Sequence, residues 1–111
     1  MRVYLIDDLQ TGHVEKIKST LKQKKLYSPI EDVFHLPLPL ELLDAKQQEH
    51  AAACAPYYLS LETGSTWIRL ELLVRSASTL RCACVKYVSR AQREYGINTL
   101  DTLLQHLNIP A

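Results

Sequence analysis

The apolar positions of this chain change period along its length, and each change marks an element. Arg2 to Ile6 is a short run rich in Val, Tyr, Leu and Ile that ends on Asp7 and Asp8, the pattern of a buried strand entering a loop. From Thr11 the apolar residues fall at Val14, Ile17 and Leu21, which is helical spacing, with Lys16, Lys18, Lys22, Lys24 and Lys25 on and beyond the polar side. This predicts an amphipathic helix that closes near Lys25, before the break at Tyr27-Ser28-Pro29. Val33 to Leu38 reads as a short edge strand, because Pro37 and Pro39 cannot donate ladder hydrogen bonds.

Leu40 to Ala55 is helical in character. Asp44 with Gln47 has the form of a capping box, the run Ala51-Ala52-Ala53 has high helix propensity, and Pro56 stops it. The period then becomes two, at Tyr57-Leu59-Leu61, at Ile68-Leu70-Leu72-Val74 and at Leu80-Cys82-Cys84. Short, turn-rich connectors predict an antiparallel meander of these strands, with Ile68, Leu70, Leu72 and Val74 facing the core. Ser89 with Gln92 repeats the capping-box form ahead of a closing helix striped by Ile97, Leu100, Leu103, Leu104 and Leu107, in which Gly96 marks a kink or a break. The order β-α-β-α-β-β-β-α gives a single α+β domain over residues 1–111. It should hold a mixed sheet of four or five strands, including a three-strand antiparallel meander, with about three helices packed against it.

Composition narrows the function classes. Thirteen basic against twelve acidic residues leave the chain without the positive field that drives sequence-independent nucleic-acid binding, so a polyanion is not the expected partner. No apolar run approaches the ~20 residues needed to span a bilayer, and the N-terminal apolar run is too short for a signal peptide, so a cytoplasmic location is expected. Three cysteines are an odd count, and Cys82 and Cys84 are too close for an unstrained disulfide, which predicts free thiols or metal ligands. Val3-Tyr4-Leu5-Ile6-Asp7-Asp8 resembles the first strand of response-regulator receiver domains, which implies an acidic magnesium site; the later meander departs from the strand-helix alternation of that family.

Two groupings carry chemistry. With Ile68, Leu70, Leu72 and Val74 inward, Trp67, Arg69 and Arg75 line the opposite face, and neighbouring strands add Tyr58, Arg81 and Tyr87. Such a surface suits pairing with a protein, a second copy of the chain above all, more than stacking on nucleic-acid bases. Alternatively, a helix covers this face. The second grouping uses every cysteine: His50 and Cys54 lie one helical turn apart, and Cys82 and Cys84 share one face of a strand. Together they make a Cys3His set, a composition that binds structural zinc. A C-x-C in a flat strand starts about 6.6 Å apart, so a twist or bulge has to close the gap. The competing reading makes Cys82 and Cys84 small core residues beside Leu80 and Val88. A third reading makes a cysteine the nucleophile of an enzyme, activated by His50, although no known catalytic signature accompanies it. The sequence therefore points to a non-enzymatic binding domain, with a zinc-binding domain and a cysteine-dependent enzyme as alternatives.

Overall fold

A computed structural model describes residues 2–111. Its elements are β1 (Val3–Ile6), α1 (Thr11–Gln23), β2 (Val33–Pro37), a 3-10 turn (Leu40–Leu42), α2 (Ala45–Cys54), β3 (Tyr57–Thr63), β4 (Ile68–Glu71), β5 (Leu73–Ser76), β6 (Lys86–Tyr87) and α3 (Arg90–His106). The α+β class is as expected, but among the described residues the sheet has six strands and not four or five, because the middle leg of the meander is interrupted and a separate short β6 closes it.

Strand β3 organises the sheet. One edge pairs with β2, from Val33↔Glu62 to Pro37↔Tyr58, and the other pairs with β4 at Leu61–Thr63 and with β5 at Tyr57–Tyr58. Thus β4 and β5 are two legs of one interrupted strand, flanked on its far side by β1 and β6; all of these pairings are antiparallel. The interruption has a simple geometry. Two residues lie between Tyr58 and Leu61 on β3, and four lie between their partners Arg75 and Leu70. An extra pair of residues, unlike a single one, preserves the inside-outside alternation, so Ile68, Leu70, Leu72 and Val74 all face inward as predicted, the most exposed of them at 6%. Leu72 sends its N–H to the Arg2 carbonyl at 2.9 Å and its carbonyl accepts from Val88 N at 3.2 Å, so both polar backbone groups of the residue at the break are paired.

The inner face carries Phe34, Leu36, Leu59, Leu61, Ile68 and Leu70 into one core with Val14, Ile17 and Leu21 of α1 and Leu100 and Leu104 of α3. Gly96 does not break α3, which runs as one helix from Arg90 to His106; a Cβ there would meet the methyl groups of Leu59 and Leu70 at 2.9 Å, so glycine lets the helix lie close on the sheet. Lys16 of α1 donates to the carbonyl of Leu107 at 3.0 Å, beyond the end of α3, and Lys18 pairs with Asp32 at 2.6 Å. Two of the lysines on α1 therefore serve the fold.

Three boundaries differ from the sequence reading. Helix α2 starts at Ala45, because the Asp44 cap fixes its first turn, and Leu40–Leu42 forms a separate 3-10 turn. The last leg of the meander is the two-residue β6, and residues 77–85, with Cys82 and Cys84, form a loop; Leu80, at 91% exposure, does not anchor a strand. Helix α1 closes at Gln23, ahead of Lys25, whose φ of 60° lies in the left-handed region.

Candidate metal centre

The site is built where α2 ends and the β5–β6 loop begins. The Asp44 carboxylate accepts from Gln47 N at 2.8 Å while Gln47 Oε1 accepts from Asp44 N at 3.1 Å, which sets the helical phase of everything downstream. One turn apart in that phase, His50 and Cys54 project from one side. Pro56 then ends the helix and Tyr57 opens β3. The returning β5 lies opposite, with Tyr57 facing Ser76 and Ala77 N donating to the Pro56 carbonyl at 2.9 Å, so the loop leaves the sheet beside the end of α2. Ser76 fastens it: its hydroxyl donates to the Cys54 carbonyl and accepts from Ser78 N at 3.1 Å and Thr79 N at 3.0 Å.

Within this frame the ligand atoms of His50, Cys54, Cys82 and Cys84 all lie within 4.8 Å of one another. Cys82 Sγ stands 3.2 Å from His50 Nδ1 and 3.5 Å from Cys54 Sγ, and the cysteines are free thiols. Four donors around a tetrahedral zinc, with Zn–S near 2.3 Å, sit about 3.8 Å apart. The cluster can therefore hold a metal ion with little rearrangement. The gap expected of a flat C-x-C is closed by a turn, in which Val85 N donates to the Cys82 carbonyl at 3.0 Å and Cys84 N reaches back to Cys82 Sγ at 3.3 Å. Cys54 and Cys84 are buried, and His50 and Cys82 are half-buried, so the cluster sits at the edge of the core with one side near water.

The electrostatics separate the thiols. Hydrogen bonds from the Cys84 thiol and backbone N–H bring Cys82 down to about 7, whereas burial, reinforced by Cys82, pushes Cys84 up to about 11. Burial likewise raises the Tyr57 hydroxyl well above its ordinary value. Of this pair, Cys82 is the more readily ionised thiol, and it is half-buried and 3.2 Å from His50 Nδ1.

Behind the thiols lies a buried amide network that sequence reasoning missed. Gln47 and Gln92, exposed by no more than 1%, are the third helical residues of the α2 and α3 capping boxes. Gln92 Nε2 donates to Gln47 Oε1 at 2.9 Å and to the Leu42 carbonyl at 2.8 Å, and Gln47 Nε2 donates to the Cys84 carbonyl at 3.2 Å. Tyr57 Oη closes the network on the Gln47 carbonyl at 3.0 Å. Lys86 pairs with the capping Asp44 at 2.5 Å. Burial opposes ionisation of Asp44, but Lys86 and the N–H groups of Gln47 and Lys46 outweigh it and hold the carboxyl below its ordinary value. The available signal was the glutamine in both capping boxes, which reads as a local feature until the two helix starts are known to meet.

The other grouping is only partly assembled. Tyr58, Trp67, Arg69 and Arg75 are half-buried and Tyr87 is exposed on the sheet face opposite the core, which remains open to solvent; Arg81 lies apart, exposed in the 77–85 loop. Charges on this face are paired internally, Arg69 with Glu62 and Arg75 bidentately with Glu71 at 2.6 and 3.1 Å. His35 stacks on Tyr58 with ring centroids 3.8 Å apart, and Arg2 covers the Tyr87 ring at 4.2 Å. The Trp67 indole occupies the space that a side chain at residue 64 would fill, which accounts for Gly64 there. No helix of the structure is long and apolar enough to cross a membrane. Comparison of the chain with family models, with curated proteins and with solved structures returns no match.

Proposed function

We propose that this is a zinc-stabilised binding domain in which His50, Cys54, Cys82 and Cys84 hold one zinc ion that ties α2 to the β5–β6 loop. The observation that carries this reading is the convergence of four donors within 4.8 Å from two elements 28 residues apart, as counted between Cys54 and Cys82. Packing of small apolar residues does not require a histidine nitrogen at 3.2 Å from a sulfur. Four protein donors fill a tetrahedron and leave no open position for water or substrate, so the zinc acts in folding and the work of the domain is binding. Elemental analysis of protein purified without a metal-affinity step should find one zinc per chain. Chelation should lower the melting temperature sharply, since structural zinc contributes on the order of 10 kcal/mol to folding, and Cys82→Ser should do the same. A metal-free protein of full stability, whose Cys54→Ala and Cys84→Ala variants cost only what small core truncations cost, refutes the reading.

The binding surface in this proposal is the uncovered sheet face, and the partner is a second copy of the chain. Trp67, Arg69, Tyr58, Arg75 and Tyr87 supply the aromatic and guanidinium area typical of interface anchors, and the acids beside Arg69 and Arg75 offset the charge a phosphate backbone needs. Light scattering should show a dimer that Trp67→Ala weakens by about 2 kcal/mol or more, ~30-fold in affinity. A monomer at high concentration removes the self-association version, and RNA binding that falls steeply with salt reverses the choice of partner.

A further inference from the structure

Two of the three sulfurs are placed for chemistry with each other. We propose that Cys54 and Cys82 form a reversible redox pair, which a hydroperoxide converts to a disulfide that withdraws two of the four metal donors. Only the loss of metal rests on the zinc reading; the pair itself rests on geometry. Cys54 Sγ and Cys82 Sγ are 3.5 Å apart, in contact with no atom between them, and a disulfide needs a further closure of ~1.5 Å. The loop supplies that movement, because Cys82 lies outside every strand and helix, and moving it breaks no sheet ladder. Exposure sets the roles: Cys82 is half-buried and can meet an oxidant, whereas Cys54 is 3% exposed and waits behind it. Cys84 is fully buried and too close in sequence to Cys82 for an unstrained bridge.

The chemistry balances with the peroxide as sole oxidant. The Cys82 thiolate attacks one peroxide oxygen, an S–O bond forms, the O–O bond breaks, and the leaving hydroxide or alkoxide takes a proton. The Cys54 thiolate then attacks the Cys82 sulfur, the S–S bond forms, the S–O bond breaks, and hydroxide leaves as water after protonation. Two thiols lose two electrons in total, and the peroxide is reduced to water and, from an organic hydroperoxide, an alcohol. A dithiol reductant reverses the bond.

The test treats the full chain, in metal-free and zinc-loaded forms, with hydrogen peroxide and maps the products by peptide mass spectrometry without reduction. The expected result in the metal-free chain is a Cys54–Cys82 cross-link, lighter by two hydrogen atoms, with Cys84 still open to alkylation after unfolding and the cross-link removed by dithiothreitol. Cys84→Ser should retain the cross-link, and Cys54→Ser should leave a sulfenic acid at Cys82 that dimedone traps. In the zinc-loaded form a chromogenic indicator should register one zinc released per cross-link. Sulfinic acid at Cys82 without a cross-link, or a bridge that uses Cys84 instead of Cys54, overturns the proposal. Failure of the chain to bind zinc falls on the zinc reading alone, because the metal-free arm still decides the redox pair.

Discussion

The part of the sheet under α1 and α3 and the corner under α2 both bury side chains completely, but different interactions hold them. In the first, Val14, Ile17, Leu61, Ile68, Leu70 and Leu100 are fully buried apolar side chains with no directional partners to find. In the second, Gln47, Gln92 and Ser76 are buried polar groups, each with specific acceptors, set beside thiols that reach one another only if the loop takes one path. Apolar packing tolerates volume-conserving exchange, whereas a buried polar network is stable when complete and costly when one member is lost. The domain thus joins a tolerant half to an exacting one.

The sharpest test of the tolerant half is Leu70→Ala, which should destabilise the fold by about 2–5 kcal/mol in denaturant unfolding, while Leu70→Met should cost less than about 1.5 kcal/mol. In the corner, shape conservation should not rescue stability in this way. Gln47→Ala removes the side-chain half of the capping box and strands the Asp44 N–H, the Cys84 carbonyl and one Gln92 amide hydrogen, for a loss of about 2–4 kcal/mol, and Gln47→Leu should be no better despite its similar volume. A Gln47→Leu variant as stable as the parent would dissolve the distinction between the two regions.

Smaller effects refine it. Lys86→Gln should cost up to about 1 kcal/mol near neutral pH, since its partner Asp44 is partly solvated. The sign with pH follows from the lowered Asp44 carboxyl: its contribution is present above the ordinary value of 3.8 and is lost as pH falls through the lower folded value. Acid titration of stability should therefore be shallower in Lys86→Gln than in the parent below about pH 4. Smallest is Arg69→Ala on the open face, near half a kcal/mol in the monomer, because its salt bridge with Glu62 is 40% and 45% exposed. A loss at Arg69 as large as that at Leu70 would mean that the two sheet faces have been assigned the wrong way round.

The same division explains what the sequence revealed. Periodicity reports burial of apolar faces, so β1, α1, α3 and the inward set Ile68, Leu70, Leu72 and Val74 were legible. Both capping boxes were legible too, because they are local. The loop that carries Cys82 and Cys84 reads as a strand in the sequence because Leu80, Cys82 and Cys84 alternate. That alternation is accidental, since Leu80 is exposed and the Cys82 sulfur turns back to accept the Cys84 N–H. The grouping of His50, Cys54, Cys82 and Cys84 was visible because few residue types bind metal, but its geometry was not, for it depends on β5 returning opposite Tyr57. The Gln47–Gln92 contact spans 45 residues, and its one trace in the sequence, a glutamine in each capping box, reads as two local features.

That return of β5 gives the cysteine cluster an elastic address in the sequence. The Tyr57↔Ser76 pair and the Ala77–Pro56 hydrogen bond close the base of the hairpin, so everything between them is an excursion that starts and finishes at the same place. The hairpin can lengthen or shorten at its exposed tip, Ser65-Thr66, without moving a sulfur, provided the inner face keeps its register. A pattern built to find kindred chains should therefore fix H-x-x-x-C-x-P and C-x-C and leave the distance between them free. A reporter sequence inserted between Ser65 and Thr66 should ride on the domain with the site intact.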